Sequence, residues 1–155
     1  MLLGTIARRV APAIASLLLV GGIATCMPAS SAYADDIMPL TSEDQGYFFT
    51  FKYFGDSQHS ERASKDDATA SYIYVNHMTI YDVHLYVDGY WNGSWNFNLT
   101  RGGYAYLVDP GRWWIHNYVY ENGYPEAQLR GLASEAGELG GLWSPDSWGT
   151  YNSLN

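Results

Sequence analysis

Short runs of β-forming residues, separated by glycine-containing turns, dominate the sequence after residue 46. The turn signals are Gly89, Asn92-Gly93, Gly102-Gly103, Pro110-Gly111 and Asn122-Gly123. Glycine adopts the positive φ angles that tight turns need, so each signal predicts a reversal of the chain. Strands are predicted at 47–54, 68–76, 79–88, 94–100, 104–109, 112–121, 124–132 and 140–143, and the polar segment 55–67 is predicted to be a loop.

The number and spacing of these runs predict the fold class. About seven short strands, with turn signals every eight to twelve residues or so, are typical of a single antiparallel β-sandwich or small barrel. A weak helical turn over 127–139 is the one helical candidate, and its glycines oppose it. The length of 155 residues leaves room for one such domain.

The N-terminal third has the layout of an export signal. Arg8 and Arg9 precede an apolar stretch over 10–24, which is too short to span a bilayer and suits the core of a signal peptide. Ala32-Tyr33-Ala34 then forms an A-x-A cleavage site before Asp35. The pattern predicts a signal peptide at 1–34, a polar leader at 35–46 and a secreted domain at 47–155.

Cys26 allows a second interpretation of the same segment. Ile23-Ala24-Thr25-Cys26 loosely resembles a bacterial lipobox, which would anchor the protein through a lipid on Cys26. Threonine before the cysteine is atypical, and the A-x-A site lies downstream, so release is favoured over anchorage. A mature chain that begins at Asp35 has no cysteine, which excludes disulfides and thiolate metal sites.

The charge balance narrows the classes of partner. The net charge is −8, and loss of Arg8 and Arg9 leaves six basic and sixteen acidic side chains, a net charge of −10. Nucleic acids bind clusters of Lys and Arg, so they are excluded as partners. Anionic headgroups also repel such a chain, so no membrane insertion is expected after signal removal.

Alternation along the predicted strands separates an aliphatic face from a tyrosine-rich one. In 79–88, Tyr81 and Val83 lie on the predicted core face, and Ile80 and His84 lie on the other. The candidate binding residues are the aromatic side chains assigned to the second face. They are Tyr72, Tyr74, Tyr86, Tyr104, Tyr106, Trp114, His116, Tyr118 and Tyr120.

Two interpretations of this face remain open. Tyrosines are good β-formers that pair across strands with their hydroxyl groups in water, so the face could be purely structural. Alternatively, a row of aromatic rings on a sheet is a platform for sugar rings or for an apolar patch of a partner. The second interpretation predicts a glycan, cell-envelope or protein partner.

Signatures of catalysis and of metal binding are scarce. The sequence contains no phosphate-binding glycine loop, no G-x-S-x-G elbow and no H-E-x-x-H motif. Asp82, His84 and His116 could approach one another as zinc ligands only if their strands pair, and the loop aspartates lack the spacing of a calcium motif. We therefore expect no cofactor, no metal and no catalytic residues.

Two motifs in the C-terminal half carry a resemblance to a known family. The stretch N-Y-V-x-E-x-G-Y occupies 117–124, and W-S-P-D-S occupies 143–147. The chain resembles a family of small secreted proteins of Gram-positive bacteria that is described only as a domain of unknown function. The resemblance implies a secreted β domain and transfers no activity. Some small exported β proteins of such bacteria, the lactococcin type among them, antagonise competitors, so a bacteriocin-like effector is the alternative and a small secreted hydrolase is the third option.

The same motifs also have structural interpretations. Trp143 is predicted to dock the last strand on the core, and Ser144-Pro145-Asp146-Ser147 is predicted to form the turn that ends it. Glu121-Asn122-Gly123 is predicted to form a hairpin that places Tyr124 beside Tyr120 across the two strands.

Overall fold

The computed structural model describes residues 44–96 and 98–155. The predicted signal peptide, Cys26, most of the polar leader and Phe97 lie outside these residues. The described residues contain ten strands and no helix. Nothing in this part of the chain could therefore cross a bilayer as a helix.

The strands follow one another at short intervals along the chain. They are β1 (Gln45–Phe51), β2 (Ser57–Ser64), β3 (Ser71–Met78), β4 (Val83–Trp91), β5 (Ser94–Asn96), β6 (Ala105–Leu107), β7 (Gly111–Ile115), β8 (Glu126–Ala133), β9 (Gly137–Ser144) and β10 (Asn152–Ser153).

These strands form two sheets. The first sheet has the order β1-β9-β3-β7-β10, and the second has the order β2-β8-β4-β5 with β6 also paired to β4. All pairs are antiparallel except β7 with β10. The predicted β-sandwich is confirmed, and the small-barrel alternative is not, because the sheets stay separate.

Most connections cross from one sheet to the other. The chain changes sheet between β1 and β2, β2 and β3, β3 and β4, β6 and β7, β7 and β8, and β8 and β9. The β4–β5 connection is a tight hairpin at Asn92-Gly93, whose φ angles of 50° and 82° are those of the left-handed region. The turn signal at Asn92-Gly93 is thereby confirmed.

The hairpin predicted at Asn122-Gly123 is wrong. A turn does form there, closed by a hydrogen bond from the Tyr124 amide to the Val119 carbonyl oxygen at 3.0 Å. It connects the two sheets instead of two paired strands, because β7 pairs with β3 and β10 whereas β8 pairs with β2 and β4. Tyr120 and Tyr124 are consequently not cross-strand neighbours.

The loop predicted at 55–67 is also wrong, since it contains β2. This strand pairs with β8 alone and lies at the edge of the second sheet. Its polar residues are mostly exposed, and polar edge strands resist pairing with other chains. Similarly, the candidate helical turn at 127–139 is the end of β8, a three-residue connection and the start of β9.

The core lies between the sheets. Trp143, the largest fully buried side chain, packs there with aliphatic and aromatic residues of both sheets, as predicted. Those residues include Phe49, Ile73, Val75, Leu139, Val83, Leu85, Val87, Leu107, Ile115 and Leu129. Ile80 and Tyr81 exchange their predicted roles, Ile80 being buried and Tyr81 exposed, because β4 begins only at Val83 and its alternation does not extend backwards.

Candidate functional site

The nine candidate binding residues do not share one face. Tyr72, Tyr74 and Trp114 lie on the first sheet, whereas Tyr86 and Tyr106 lie on the second. Strand periodicity gives the side on which a residue projects, but the crossing connections place successive strands in different sheets. The single tyrosine-rich face is therefore wrong as a description of one surface.

Tyr72 is not at the surface. Its side chain is 6% exposed and packs against Tyr151, with ring centroids 5.0 Å apart. Burial raises the pKa of the Tyr72 hydroxyl to about 12. Tyr72 and Tyr151 therefore serve packing on this side of the sandwich.

An arginine guanidinium group lies over the ring of Tyr74, and another lies over the ring of Tyr86. Arg112 lies directly opposite Tyr74 across β3 and β7, and its guanidinium carbon is 5.1 Å from the centre of the ring. Arg130 lies opposite Tyr86 across β4 and β8 at 4.0 Å. These cation–π contacts occupy ring faces that a ligand would otherwise use.

Tyr118 and Tyr120 lie in the connection after β7, not on a strand. Strand β7 ends at Ile115, whose carbonyl oxygen is bonded by the Asn117 side chain. The Asn117 amide nitrogen donates to the Ile115 carbonyl oxygen at 3.2 Å and to Ser71 Oγ at 3.0 Å. Both tyrosine side chains are exposed.

Trp114 and His116 line a cleft of about 380 Å³, which we call the tryptophan cleft. Its other walls come from the segment 68–70 and from Ser147, Trp148 and Gly149. Trp148 is 65% exposed and faces this space from the segment after β9. The cleft thus combines two tryptophans and one histidine.

His116 also lines a second, shallower concavity of about 620 Å³, which we call the central cleft. Arg101, Tyr104 and Tyr106 form its opposite side, and Leu154 and Asn155 complete it. Because His116 lines both concavities, the tryptophan cleft and the central cleft are neighbours that share this residue as a wall.

Tyr106 links the central cleft to a third concavity of about 270 Å³, the histidine cleft. Here the His84 ring stacks on the Tyr104 ring, with 4.3 Å between the ring centroids and an angle of 17° between the ring planes. The His84 and Tyr106 rings pack edge to face, with 5.5 Å between their centroids. The β4–β6 pairing places His84 directly opposite Tyr106 and so produces this cluster.

The aromatic residues that line these three neighbouring clefts together form what we call the aromatic band. We define the band as Trp148, Trp114, His116, Tyr104, Tyr106 and His84. Four of its members were candidate binding residues. Trp148 was not predicted, because it follows the last predicted turn and belongs to no alternating run. Its only signal in the sequence was an isolated tryptophan next to Gly149.

Asn155 and the bridge between Thr100 and Asn117 connect the segment before β6 to the segment after β7. The Asn155 side chain accepts a hydrogen bond from the His116 amide at 2.9 Å and donates to the carbonyl oxygens of Arg101 and His116 at 2.6 and 3.0 Å. The Arg101 amide donates to the same His116 oxygen at 2.8 Å. The backbone around His116 is therefore fixed.

Ionisable groups are sparse along the band. Hydrogen bonds with Ser134 and Tyr106 and the nearby His84 lower the pKa of Asp82 in the histidine cleft. Arg101 lines the central cleft. Across residues 44–96 and 98–155, no cluster of three or more His, Cys, Asp or Glu side chains could hold a metal ion, and His116 does not join Asp82 and His84 in one cleft.

The fold and the site define a small all-β domain with exposed aromatic side chains. Residues 30–147 match the family described as a protein of unknown function, DUF2712, and the chain belongs to this family. The match includes both C-terminal motifs, so the predicted membership of a family of unknown function is confirmed. No curated protein and no solved structure shows significant similarity to the chain.

Proposed function

We propose that the chain is a secreted, non-catalytic binding module whose aromatic band holds an extended glycan of the cell envelope. The observation that carries the proposal is that three neighbouring clefts share His116 and Tyr106 as walls and are lined by aromatic side chains. Aromatic walls with a few polar groups among them are the usual composition of small-molecule and oligomer sites in proteins.

The shape and chemistry of the band suit a chain of sugar rings. A pyranose ring presents a face of C–H groups that packs on an aromatic ring, and hydroxyl groups that require hydrogen-bond partners. Exposed Trp148, Tyr104 and Tyr106 supply ring faces, while Arg101 and His116 supply polar groups between them. Since the clefts are open and successive, they favour an extended ligand over a compact one.

The same composition favours a glycan over a protein partner. Protein interfaces concentrate apolar contact in a central patch and place polar groups at the rim. In the clefts that the aromatic band lines, by contrast, the polar side chains of His116, Arg101 and Asp82 lie among the rings. The net charge of −8 further disfavours nucleic acids and anionic membranes.

Secretion is part of the proposal and rests on the pattern in residues 1–34. N-terminal sequencing of the protein recovered from culture medium should give Asp35 as the first residue. A lipid-modified Cys26 in a membrane fraction would instead support the anchored form.

The binding test uses the intrinsic fluorescence of the full chain. Iodide quenching is measured alone and with a panel of neutral and anionic glycans and cell-wall fragments. Because Trp148 is exposed, strong quenching is expected, and a bound glycan should reduce it. If no glycan alters quenching, the glycan assignment is overturned, and protection by a protein fraction would support a protein partner.

The two alternative functions, a small hydrolase and a bacteriocin-like effector, predict different observations. A hydrolase acting through paired carboxylates needs two of them in one cleft, whereas Asp82 is the one acidic side chain among the described residues that line the three clefts. A bacteriocin-like effector would inhibit growth of related bacteria as the purified protein. Our proposal predicts no inhibition and no release of reducing sugar from bound glycan.

A further inference from the structure

A buried lysine connects the two sheets at a point outside the aromatic band. Lys65 directly follows β2 of the second sheet, and Asp146 follows β9 of the first. The Lys65 side chain is 0% exposed and that of Asp146 is 7% exposed. The Nζ atom of Lys65 lies 2.5 Å from Oδ1 of Asp146, within hydrogen-bond distance.

Burial brings the nitrogen of Lys65 and the carboxyl group of Asp146 into contact away from water. Taking an ammonium and a carboxylate out of water is costly in general, and transfer of one proton between them gives an amine, which is a nucleophile, and a carboxylic acid, which is an acceptor. The contact therefore places two mutually reactive groups side by side.

We propose that Lys65 and Asp146 condense to an intramolecular isopeptide bond, which covalently links the two sheets. The new bond joins Nζ of Lys65 to Cγ of Asp146, and the leaving group is water. No oxidant, reductant or co-reactant is required. The proposal is independent of the glycan-binding function, because Lys65 and Asp146 line none of the three clefts of the band.

The hydrogen bonds around the pair suit both the reaction and its product. The Asp66 amide donates to Oδ2 of Asp146 at 2.9 Å, which polarises the carbonyl group and stabilises negative charge on that oxygen during attack. Lys65 Nζ also donates to the Thr69 carbonyl oxygen at 2.7 Å. In the product, the amide N–H keeps Thr69 as its acceptor and the amide oxygen keeps Asp66 as its donor, while the Asp67 amide gives up its 3.4 Å contact with the departing Oδ1.

Asp67 is positioned to move the protons. Its Oδ1 lies 3.8 Å from Lys65 Nζ, and its carboxylate accepts hydrogen bonds from the amide and hydroxyl groups of Thr69. Although partial burial opposes it, the hydrogen bonds with Thr69 and Asp146 lower the pKa of Asp67.

The reaction moves two protons from the Lys65 nitrogen to Oδ1 of Asp146 and releases one water. One Lys65 proton passes to Asp146, whose Oδ1 becomes a hydroxyl group, and the nitrogen lone pair then attacks Cγ. The Asp67 carboxylate removes a second proton from the nitrogen and returns it to the Oδ1 hydroxyl. The C–Oδ1 bond breaks, water leaves with that oxygen, and Asp67 ends in its starting form.

The bond would be a cross-link in a part of the chain that has no cysteine, since the one cysteine of the sequence is Cys26. The two residues are 81 positions apart, so the link closes most of the domain into a loop. A cross-link of that span constrains the unfolded chain in the way a disulfide does.

The test is intact-mass measurement and tryptic mapping of the purified full chain. We expect a mass one water below that calculated from the determined termini. Acylated Lys65 resists trypsin, so residues 63–101 should stay in one piece and be joined to residues 131–155 as a branched peptide. Lys65→Arg and Asp146→Ala should restore the calculated mass, and Asp67→Asn should leave a measurable unlinked fraction.

Lys52→Arg is the matched control, because Lys52 is the other lysine of the chain and it is exposed. This variant should keep the branched peptide. Dehydration at Asp88-Gly89 would also remove one water, but it would leave the peptides unbranched and trypsin would cut at Lys65. That result, or an unmodified mass, overturns the proposal and leaves a buried ion pair. The map of the unaltered protein decides the matter even if the variants do not fold.

Discussion

The hydroxyl group of Tyr106 donates a hydrogen bond of 2.6 Å to the carboxylate of Asp82. Tyr106 lies on β6, and Asp82 immediately precedes β4, to which β6 is paired. The bond holds the Tyr106 ring at the wall shared by the central and histidine clefts. One contact therefore sets the position of a residue that lines two of the three clefts.

Tyr106→Phe should raise the pKa of Asp82 towards its ordinary value of 3.8, because one of the hydrogen bonds that stabilise the carboxylate is lost. A depressed pKa in the folded state stabilises the fold above about pH 3.8, and this stabilisation is lost as the pH falls through the folded value. The wild-type protein should therefore resist acid slightly better than the variant.

The measurement for Tyr106→Phe is a carboxyl NMR titration of Asp82. Tyr104→Phe is the control, since the Tyr104 ring stacks on His84 and should leave the pKa of Asp82 unchanged. If Asp82 titrates identically in the wild type and in Tyr106→Phe, the hydrogen bond does not form in solution.

Arg130→Met should cost about 3–5 kcal/mol of unfolding free energy, because it leaves the carboxylate of Asp88 buried without its cation. Arg130 donates to the two oxygens of Asp88 at 2.6 and 3.0 Å, and Asp88 is almost fully buried. Urea denaturation provides the free energy.

Arg62→Met is the matched control for Arg130→Met. Arg62 also lies over a tyrosine, Tyr90, at 4.1 Å and pairs with a carboxylate, Glu126, at 3.3 Å, but both members of that ion pair are substantially exposed. Its loss should therefore cost about 1 kcal/mol or less. Equal losses in the two variants would show that burial of Asp88 does not govern the effect.

Gly141→Ala should destabilise the sandwich by about 3 kcal/mol or more, because overpacking against backbone cannot be relieved by a rotamer change. A Cβ atom at this position would lie within 2 Å of the Tyr74 carbonyl oxygen, where β9 pairs with β3. Thermal and urea unfolding measure the loss.

Gly46→Ala provides the comparison on β1, the neighbouring strand. A Cβ atom there meets nothing within 4 Å, so the change in unfolding free energy should stay within about 0.5 kcal/mol. Normal stability of Gly141→Ala would mean that the β3–β9 pairing differs from the one described.

Trp148→Ala should weaken glycan binding at least about tenfold, which corresponds to about 1.4 kcal/mol, because it removes the most exposed ring of the tryptophan cleft. The thermal midpoint should barely change, since surface substitutions alter stability little. Titration followed by tyrosine fluorescence or calorimetry gives the affinity.

Trp91→Ala is the control for Trp148→Ala. Trp91 is similarly exposed, at 61%, but lies at the β4–β5 hairpin and lines none of the three clefts. Its removal should leave affinity unchanged. Equal weakening by both variants would place the ligand outside the aromatic band.

Much of the core could be predicted from the sequence. Val83 and Trp143 were assigned to the core from alternation and from the closing motif, and both are buried. These predictions succeed because a strand with one face in the core must alternate with period two. Strand β2 was not predicted, because its polar residues lie at a sheet edge. Few of its side chains are buried there, so the sequence shows no apolar alternation.

The candidate site was only partly predictable. Tyr104, Tyr106, Trp114 and His116 were named from the sequence, and they do lie along connected clefts. Tyr72 was named on the same grounds, yet Tyr151 covers it. Alternation reports the side of a strand on which a residue projects, and it carries no information about what a distant segment lays over that side.

The sequence by itself therefore determined the all-β class, most of the buried side chains and the family, since turn residues, strand periodicity and the C-terminal motifs are local properties. Tertiary structure alone decided which aromatic rings meet and that Lys65 contacts Asp146. Both outcomes depend on connections that cross between the sheets and on contacts up to 81 residues apart along the chain. Such contacts are selected by the free energy of the whole packed sandwich, which no single segment encodes.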